Sequence, residues 1–265
     1  MIFLIHLNTT EKQCILPIDY QYYIGAWIYK IIGEADPDFA RFLHTEGYRN
    51  GNKSFKFFNY SPLFFNKYRI HKDRALIEAL TGTATLKVSF FLNDAAEKFI
   101  IGLFNNQQVY LGDRFNGTNF KVAGIERLPD PFSHGNTTAG RPVTIGYHAK
   151  SPVVFSSKTE NDKYARYLSP EDEGYAGWVR QHLFHKYQTV PGAAPLAENT
   201  ETAFTLLSKP KSKLITIKPF TAQQTKVRGY LYKFSLTAPE EIHKLVLYSG
   251  FGEKNASGFG WVETG

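Results

Sequence analysis

A chain of 265 residues is long enough for one large domain or two of ordinary size, and 43% hydrophobic with 21% charged residues suits a folded globular protein. No run of about 18 apolar residues occurs, which excludes a transmembrane helix, and a single cysteine, Cys14, excludes an internal disulfide or a cysteine zinc site. A net charge of +7 with 15% aromatic residues favours an acidic partner, nucleic acid foremost, because single-stranded bases stack on such rings.

MIFLIHL (1–7) is apolar and rich in β-branched isoleucine, the composition of a strand. The start MIFLIHLNTT lacks the basic n-region and small-residue cleavage site of a signal peptide, so a cytoplasmic protein is expected. YQYYIGAWIYKIIGEA (20–35) reads as a helix, with Ile24, Trp27, Ile28, Ile31 and Ile32 recurring at helical spacing. A second short helix is expected over 36–44, with Asp36 as N-cap and Pro37 at the first helical position. Strands are predicted at 54–61 and 84–92, a capped amphipathic helix at 93–106, and a strand at 119–128. PDPFSHGNTTAGRP (129–142) has no periodicity and is the best linker candidate, dividing domains 1–128 and 143–265. Beyond it come a strand at 143–155, a helix over 170–188, paired strands within 204–217, a strand at 226–238, a helix at 239–250 opened by Pro239, and a last strand at 257–264. Each half therefore reads βαββαβ, which predicts an α+β fold of two tandem ferredoxin-like (RRM-type) domains with a glycine-rich loop near the C-terminus.

That loop is GFGEKNASGFG (250–260), in which Gly250, Gly252, Gly258 and Gly260 enclose a phenylalanine at each end. A Walker A loop needs Lys and Ser/Thr after its last glycine, whereas Phe259 and Gly260 follow Gly258; the dinucleotide fingerprint needs a third glycine where Asn255 stands. Both motifs also run from strand to helix, and this loop runs from helix to strand. No nucleotide cofactor is expected. What remains is a turn whose backbone N–H groups approach an anion, with Lys254 at its tip and Asn255 and Ser257 adding hydrogen-bonding groups, or else a plain connection loosened by glycine.

The spacing, Gly-Phe-Gly, five residues, Gly-Phe-Gly, resembles the C-terminal glycine-rich loop of the CRISPR repeat-cleaving endoribonucleases, the Cas-six type within the repeat-associated RNA-binding superfamily. LPIDYQYYIGAWIYKII (16–32), FARFLH (39–44), FKFFNYS (55–61) and KSPVVF (150–155) resemble that family in the expected order. The resemblance implies metal-independent cleavage of precursor CRISPR RNA within its repeats, serving antiviral defence. A ribose 2′-hydroxyl attacks the adjacent phosphate and leaves a 2′,3′-cyclic phosphate and a 5′-hydroxyl. Such chemistry asks for a base, an acid for the leaving oxygen and a cation beside the phosphorane, and for no cofactor. The matching positions are His44 for proton transfer, as base or acid, Tyr29 as a supporting donor off the core stripe of its helix, and Lys56 as the cation, with Lys53 as the alternative. The partners implied are CRISPR repeat RNA, precursor and processed, with an effector complex and a homodimer also compatible, and no membrane. A different class of function is an RNA-binding module or effector-complex subunit that does not cut.

Basic residues of the second half supply candidate phosphate contacts: Lys209, Lys211 and Lys213 in SKPKSKLITIK, and Lys226 and Arg228 in KVRGYLYK, where alternation puts Lys226, Arg228 and Tyr230 on one face. His182 and His185 lie three apart on a predicted helix, but no neighbouring acid or cysteine completes a metal site, so they read as surface or packing residues.

Overall fold

The computed structural model describes residues 1–132, 141–158, 164–197 and 200–265. The expected linker at 129–142 falls largely on 133–140, which lie outside the described residues.

The first half opens with β1 (Ile2–Thr9), whose alternate residues Phe3, Ile5 and Leu7 are buried, as a strand with one face on a core requires. After β2 (Cys14–Pro17), α1 (Gln21–Ala35) buries the stripe Ile24, Trp27, Ile28, Ile31 and Ile32. In α2 (Pro37–Thr45) the Asp36 carboxylate accepts the N–H of Phe39 at 2.9 Å, the cap that the sequence predicts. The run expected as one strand over 54–61 is two. A ribbon pairs β3 (Tyr48–Asn50) with β4 (Lys53–Phe55), and β5 (Phe58–Tyr60) joins the main sheet. Between them Phe57 adopts φ 55°, turns the chain, and sends its ring into the core of the other half. β6 (Tyr68–His71) and β7 (Leu76–Ala79) form a hairpin that pairs with β2, a small sheet absent from the sequence reading.

β8 (Thr83–Phe90), α3 (Asn93–Asn105), β9 (Gln108–Gly112) and β10 (Gly117–Arg127) complete this half. Contrary to expectation α3 has no side-chain cap: its N-cap position is Leu92. The sheet order is β5-β8-β1-β10-β9, all antiparallel. Without the edge strand β9, this is the βαββαβ pattern with its first and third strands central. α1 and α3 lie on one face, so close that a Cβ on Gly102 would stand 1.8 Å from the Ile31 carbonyl oxygen.

In the second half β11 (Val143–Ala149) is shorter than the expected 143–155, because the chain leaves the sheet at Lys150. The two-residue pair β12 (Ser156–Ser157) and β13 (Arg166–Tyr167) precedes α4 (Tyr175–Gln188). β14 (Ala203–Leu206) and β15 (Lys211–Ile217) do not pair with each other as predicted. β15 pairs with β16 (Thr225–Leu231), while β14 pairs with β17 (Lys233–Ala238). The single strand expected over 226–238 is thus broken at Tyr232, whose buried hydroxyl meets that of Tyr175 at 2.8 Å. α5 (Glu240–Ser249), a 3-10 turn at Asn255–Ser257 and β18 (Val262–Thr264) end the chain. The order β14-β17-β11-β18 repeats the ferredoxin-like arrangement, so the fold is two tandem ferredoxin-like units, each with a hairpin inserted between its second and third sheet strands.

The halves interlock. α5 packs against β5 and β8, Phe55 and Phe57 belong to the second core, and Lys87 pairs with Glu263 at 2.7 Å. No described helix is long and apolar enough to cross a membrane.

Candidate active site

Tyr29 leaves the core stripe of α1 and is partly buried, its ring edge-on to Phe58 at 5.3 Å and to His44 at 5.0 Å. Burial raises its hydroxyl well above the ordinary value, so it stays a neutral hydrogen-bond donor. His44 is exposed in the last turn of α2, beside the buried Leu43 that anchors the helix. The break between β4 and β5 aims Lys56 at the same place, and its Nζ donates to the His44 carbonyl at 3.1 Å. Gly47 leaves room for this: a Cβ there would stand 2.8 Å from Nζ. Burial first, then the charge of Arg49, lowers Lys56 to about 8, with Glu46 opposing. Lys53 stands elsewhere, in β4 opposite Asn50, where its charge is felt by His182 of α4.

Tyr29, His44 and Lys56 therefore form one cluster with a neutral donor, an imidazole and a cation, open to solvent at the imidazole. Among the described residues no three His, Cys, Asp or Glu side chains gather where a metal ion could be held.

The glycine-rich loop is mostly interior. Gly250, Gly252, Gly258 and Gly260 adopt φ of 84°, 83°, 88° and 73°, a region that side chains disfavour. A Cβ would also collide: 2.0 Å from the Phe251 carbonyl at Gly260 and 2.5 Å from that of Val154 at Gly252. The doubled Gly-Phe-Gly spacing follows from this, since each phenylalanine dives into a core between two such corners. Phe251 stacks on Phe234 at 4.4 Å, and Phe259 packs with Val154 and Val227. The buried Lys186 Nζ donates to Ser249 O at 2.9 Å, Gly250 O at 2.8 Å and Asn255 Oδ1 at 2.8 Å. His182 Nε2 donates to Gly252 O at 3.0 Å, which makes it a packing residue; burial and then the Lys186 charge push it well below its ordinary value.

Asn255, one of the residues expected to face RNA, is engaged within the protein. Its amide nitrogen donates to Phe259 O at 3.0 Å and its oxygen accepts from Lys186 of α4, so each polar atom has a partner within the protein. Lys254 is exposed at the tip, and Ser257 is partly buried. On the other side the loop touches α1 and β5: a Cβ at Gly25 would stand 2.6 Å from Ala256 O, and one at Gly258 would stand 3.2 Å from the Tyr60 ring. Lys186 and Asn59, against which Gly250 lies, were not singled out from sequence; nothing local distinguishes a lysine whose acceptors lie more than 60 residues on.

Lys209, Lys211, Lys213, Lys226 and Arg228 are all exposed. Directly opposed residues of a ladder share a face. Lys226 and Arg228 stand opposite Thr216 and Leu214, whereas Lys211 and Lys213 stand opposite Leu231 and Gly229, so the ribbon carries cations on both faces. Arg228 donates to Ser212 Oγ at 2.9 Å.

Two family models cover nearly the whole chain: "CRISPR-associated protein Cas6, N-terminal" over residues 15–124 and "CRISPR associated protein Cas6, C-terminal" over residues 140–264. Among curated proteins, the chain is 25% identical to CRISPR-associated endoribonuclease Cas6 1 of Methanocaldococcus jannaschii, over 96% of this chain and 89% of that protein. It is 28% identical to CRISPR-associated endoribonuclease Cas6 of Pyrococcus furiosus, over 99% and 89%. Among solved structures, a Cas6-related protein of Pyrococcus furiosus superposes with TM-score 0.79 at 24% identity, covering 100% of this chain and 98% of that one. A CRISPR-associated protein Cas6 superposes with TM-score 0.73 at 25% identity, covering 100% and 99%. With two ferredoxin-like units, the doubled Gly-Phe-Gly loop between the last helix and the last strand, and these matches end to end, the chain belongs to the CRISPR-associated Cas6 family.

Proposed function

We propose that this chain is a metal-independent endoribonuclease that cuts precursor CRISPR RNA within its repeats, by attack of a 2′-hydroxyl on the adjacent phosphate. The observation that carries the reading is the convergence of His44, Tyr29 and Lys56 from three separate segments, the His44 ring lying against Tyr29 and the His44 main-chain carbonyl accepting from Lys56. In this scheme His44 moves the proton at the reacting oxygens, Tyr29 donates to the phosphate or orients the 2′-hydroxyl, and the Lys56 ammonium offsets charge on the phosphorane. Lys56 is assigned the cation's role over Lys53 because it alone of the two lies on His44. Lys254 and the cations of the β15–β16 ribbon hold the RNA backbone in this scheme, a salt-dependent contribution with little sequence information.

The test is incubation of the repeat RNA encoded beside the gene with the full chain in EDTA. Cleavage to 2′,3′-cyclic phosphate and 5′-hydroxyl ends, lost in His44→Ala while RNA is still bound, is the expected result. Binding without cutting would make the chain a guide-holding module, and loss of cutting in EDTA would make it a metal-dependent nuclease.

A further inference from the structure

Phe115, in the turn between β9 and β10, and Phe220, in the turn of the β15–β16 hairpin, meet edge to face with ring centroids 5.5 Å apart at 79°. One belongs to each half of the chain, yet the residues remain 64% and 60% exposed. The Arg114 guanidinium lies 4.5 Å from the Phe115 ring centre and 5.8 Å from that of Phe220. A contact serving only to bury apolar surface would not leave most of both residues in water.

Both turns are rigidly built. The Asp113 carboxylate accepts from Phe115 N at 2.6 Å and Asn116 N at 2.7 Å, and Tyr110 donates to Asp113 O at 2.7 Å. Across the corner, Phe220 N donates to Gln224 Oε1 and Thr221 Oγ1 to Lys218 O, each at 2.9 Å. Lys218 and Phe220 hold φ of 52° and 60°, which bulky residues rarely adopt and which collects at ligand-contacting positions. Two perpendicular ring walls with a guanidinium fit a flat base that stacks on one ring, with its phosphate near the cation. Lys218 and Lys226 in the same hairpin, and the net charge of +7, favour an anionic polymer.

We propose that Arg114, Phe115 and Phe220 form a base-stacking site for single-stranded RNA, distinct from the Tyr29–His44 cluster. It rests on the RNA-cleaving reading and says where a flank of that RNA lies. Burial and, among its neighbours, the Asp113 charge raise the Asp19 carboxyl, which sets this turn beside the start of α1. Tyr29 lies eight residues beyond the first residue of α1, about 12 Å at the rise of an α-helix, so the base taken is not the one at the cut bond.

The test is binding of full-length protein to repeat-sequence RNA oligonucleotides carrying 2-aminopurine at successive positions, read separately from cutting. Fluorescence quenched at one position by the wild type, lost in Phe115→Leu/Phe220→Leu and regained in Phe115→Tyr/Phe220→Tyr, is expected. The leucine pair keeps apolar bulk without ring faces and should weaken Kd about tenfold. Arg114→Gln should lower the slope of log affinity against log salt by about 1 while the leucine pair leaves it unchanged. Wild-type affinity and quench in the leucine pair, with only thermal stability altered, would overturn the site and leave a latch between the halves, as would failure of the wild type to bind the RNA. Quenching without cutting would support the site and sink the cleavage reading; cutting with unaffected leucine-pair binding would do the reverse.

Discussion

Lys56 is an ammonium below about pH 8 and an amine above it, because burial lowers it from 10.5. If that charge stabilises the phosphorane, the single-turnover rate must fall as pH rises through about 8. Lys56→Ala should cost about a hundredfold in rate, the scale for losing one donor to a developing oxyanion. Lys56→Arg keeps a cation at every accessible pH, so its rate should show no decline near that pH; a decline identical to the wild type's would remove Lys56 from the reaction. Tyr29, kept neutral by burial, has a separate signature. Tyr29→Phe preserves the ring contacts to His44 and Phe58 and should slow cleavage about tenfold, one hydrogen bond's worth at net ~1.4 kcal/mol, without shifting the pH profile. That these three segments meet was suggested by motifs that resemble the family's. Lys186 was not legible, since its role depends on acceptors in a loop folded back from elsewhere in the chain.

At the scale of elements, the helices were legible and several strands were misdivided, for one physical reason. α1 and α2 each expose a polar face, so a period shows; the strand face of β5 and β8 that does not meet α1 and α3 is covered by α5, so β5 is buried at every residue and FKFFNYS lacks the alternation that would mark its break at Phe57. In the glycine loop the glycines serve folding, through backbone geometry and close contact, and Lys186 ties the start of the loop to Asn255 at its middle. Gly260→Ala should destabilise the protein by about 3 kcal/mol or more, a backbone strain compounded by a clash. Gly146→Ala, with nothing within 4 Å of the added Cβ, should be near neutral in the same chemical denaturation series. Lys186 lies at about 7 in the folded chain against 10.5 when exposed. Between those values the unfolded chain holds a proton that the folded chain has released, so this group makes stability rise with pH across that window. Lys186→Met should erase that slope, and it should lower stability by about 3 kcal/mol because three acceptors lose their donor. Stability of Lys186→Met equal to the wild type's at pH 7, or an unchanged slope, would refute the tie.

For the whole molecule, the tandem βαββαβ pattern was readable, but it suggests two independent domains, and the contacts between halves argue otherwise. Phe57 leaves the first half's chain to fill the second half's core, tilted against Phe91 at 5.8 Å, and α5 closes the first sheet's open face. Lys87 and Glu263 bind the sheets together, a partly exposed pair that adds little by itself. The halves should therefore unfold together. Phe57→Ala empties a fully enclosed ring site and should cost about 3–5 kcal/mol. Because the ring serves both halves, that loss should appear as a lower midpoint of one shared urea transition, seen alike by fluorescence of Trp27 in the first core and of the buried Trp261 in the second half. Single-tryptophan variants separate the two signals. Two transitions, with Phe57→Ala moving only one of them, would show that the halves are stable alone and that Phe57 is an ordinary core residue of the second. A single displaced transition would mean that the Tyr29–His44–Lys56 cluster, although built wholly from first-half residues, depends on the second half for its stability.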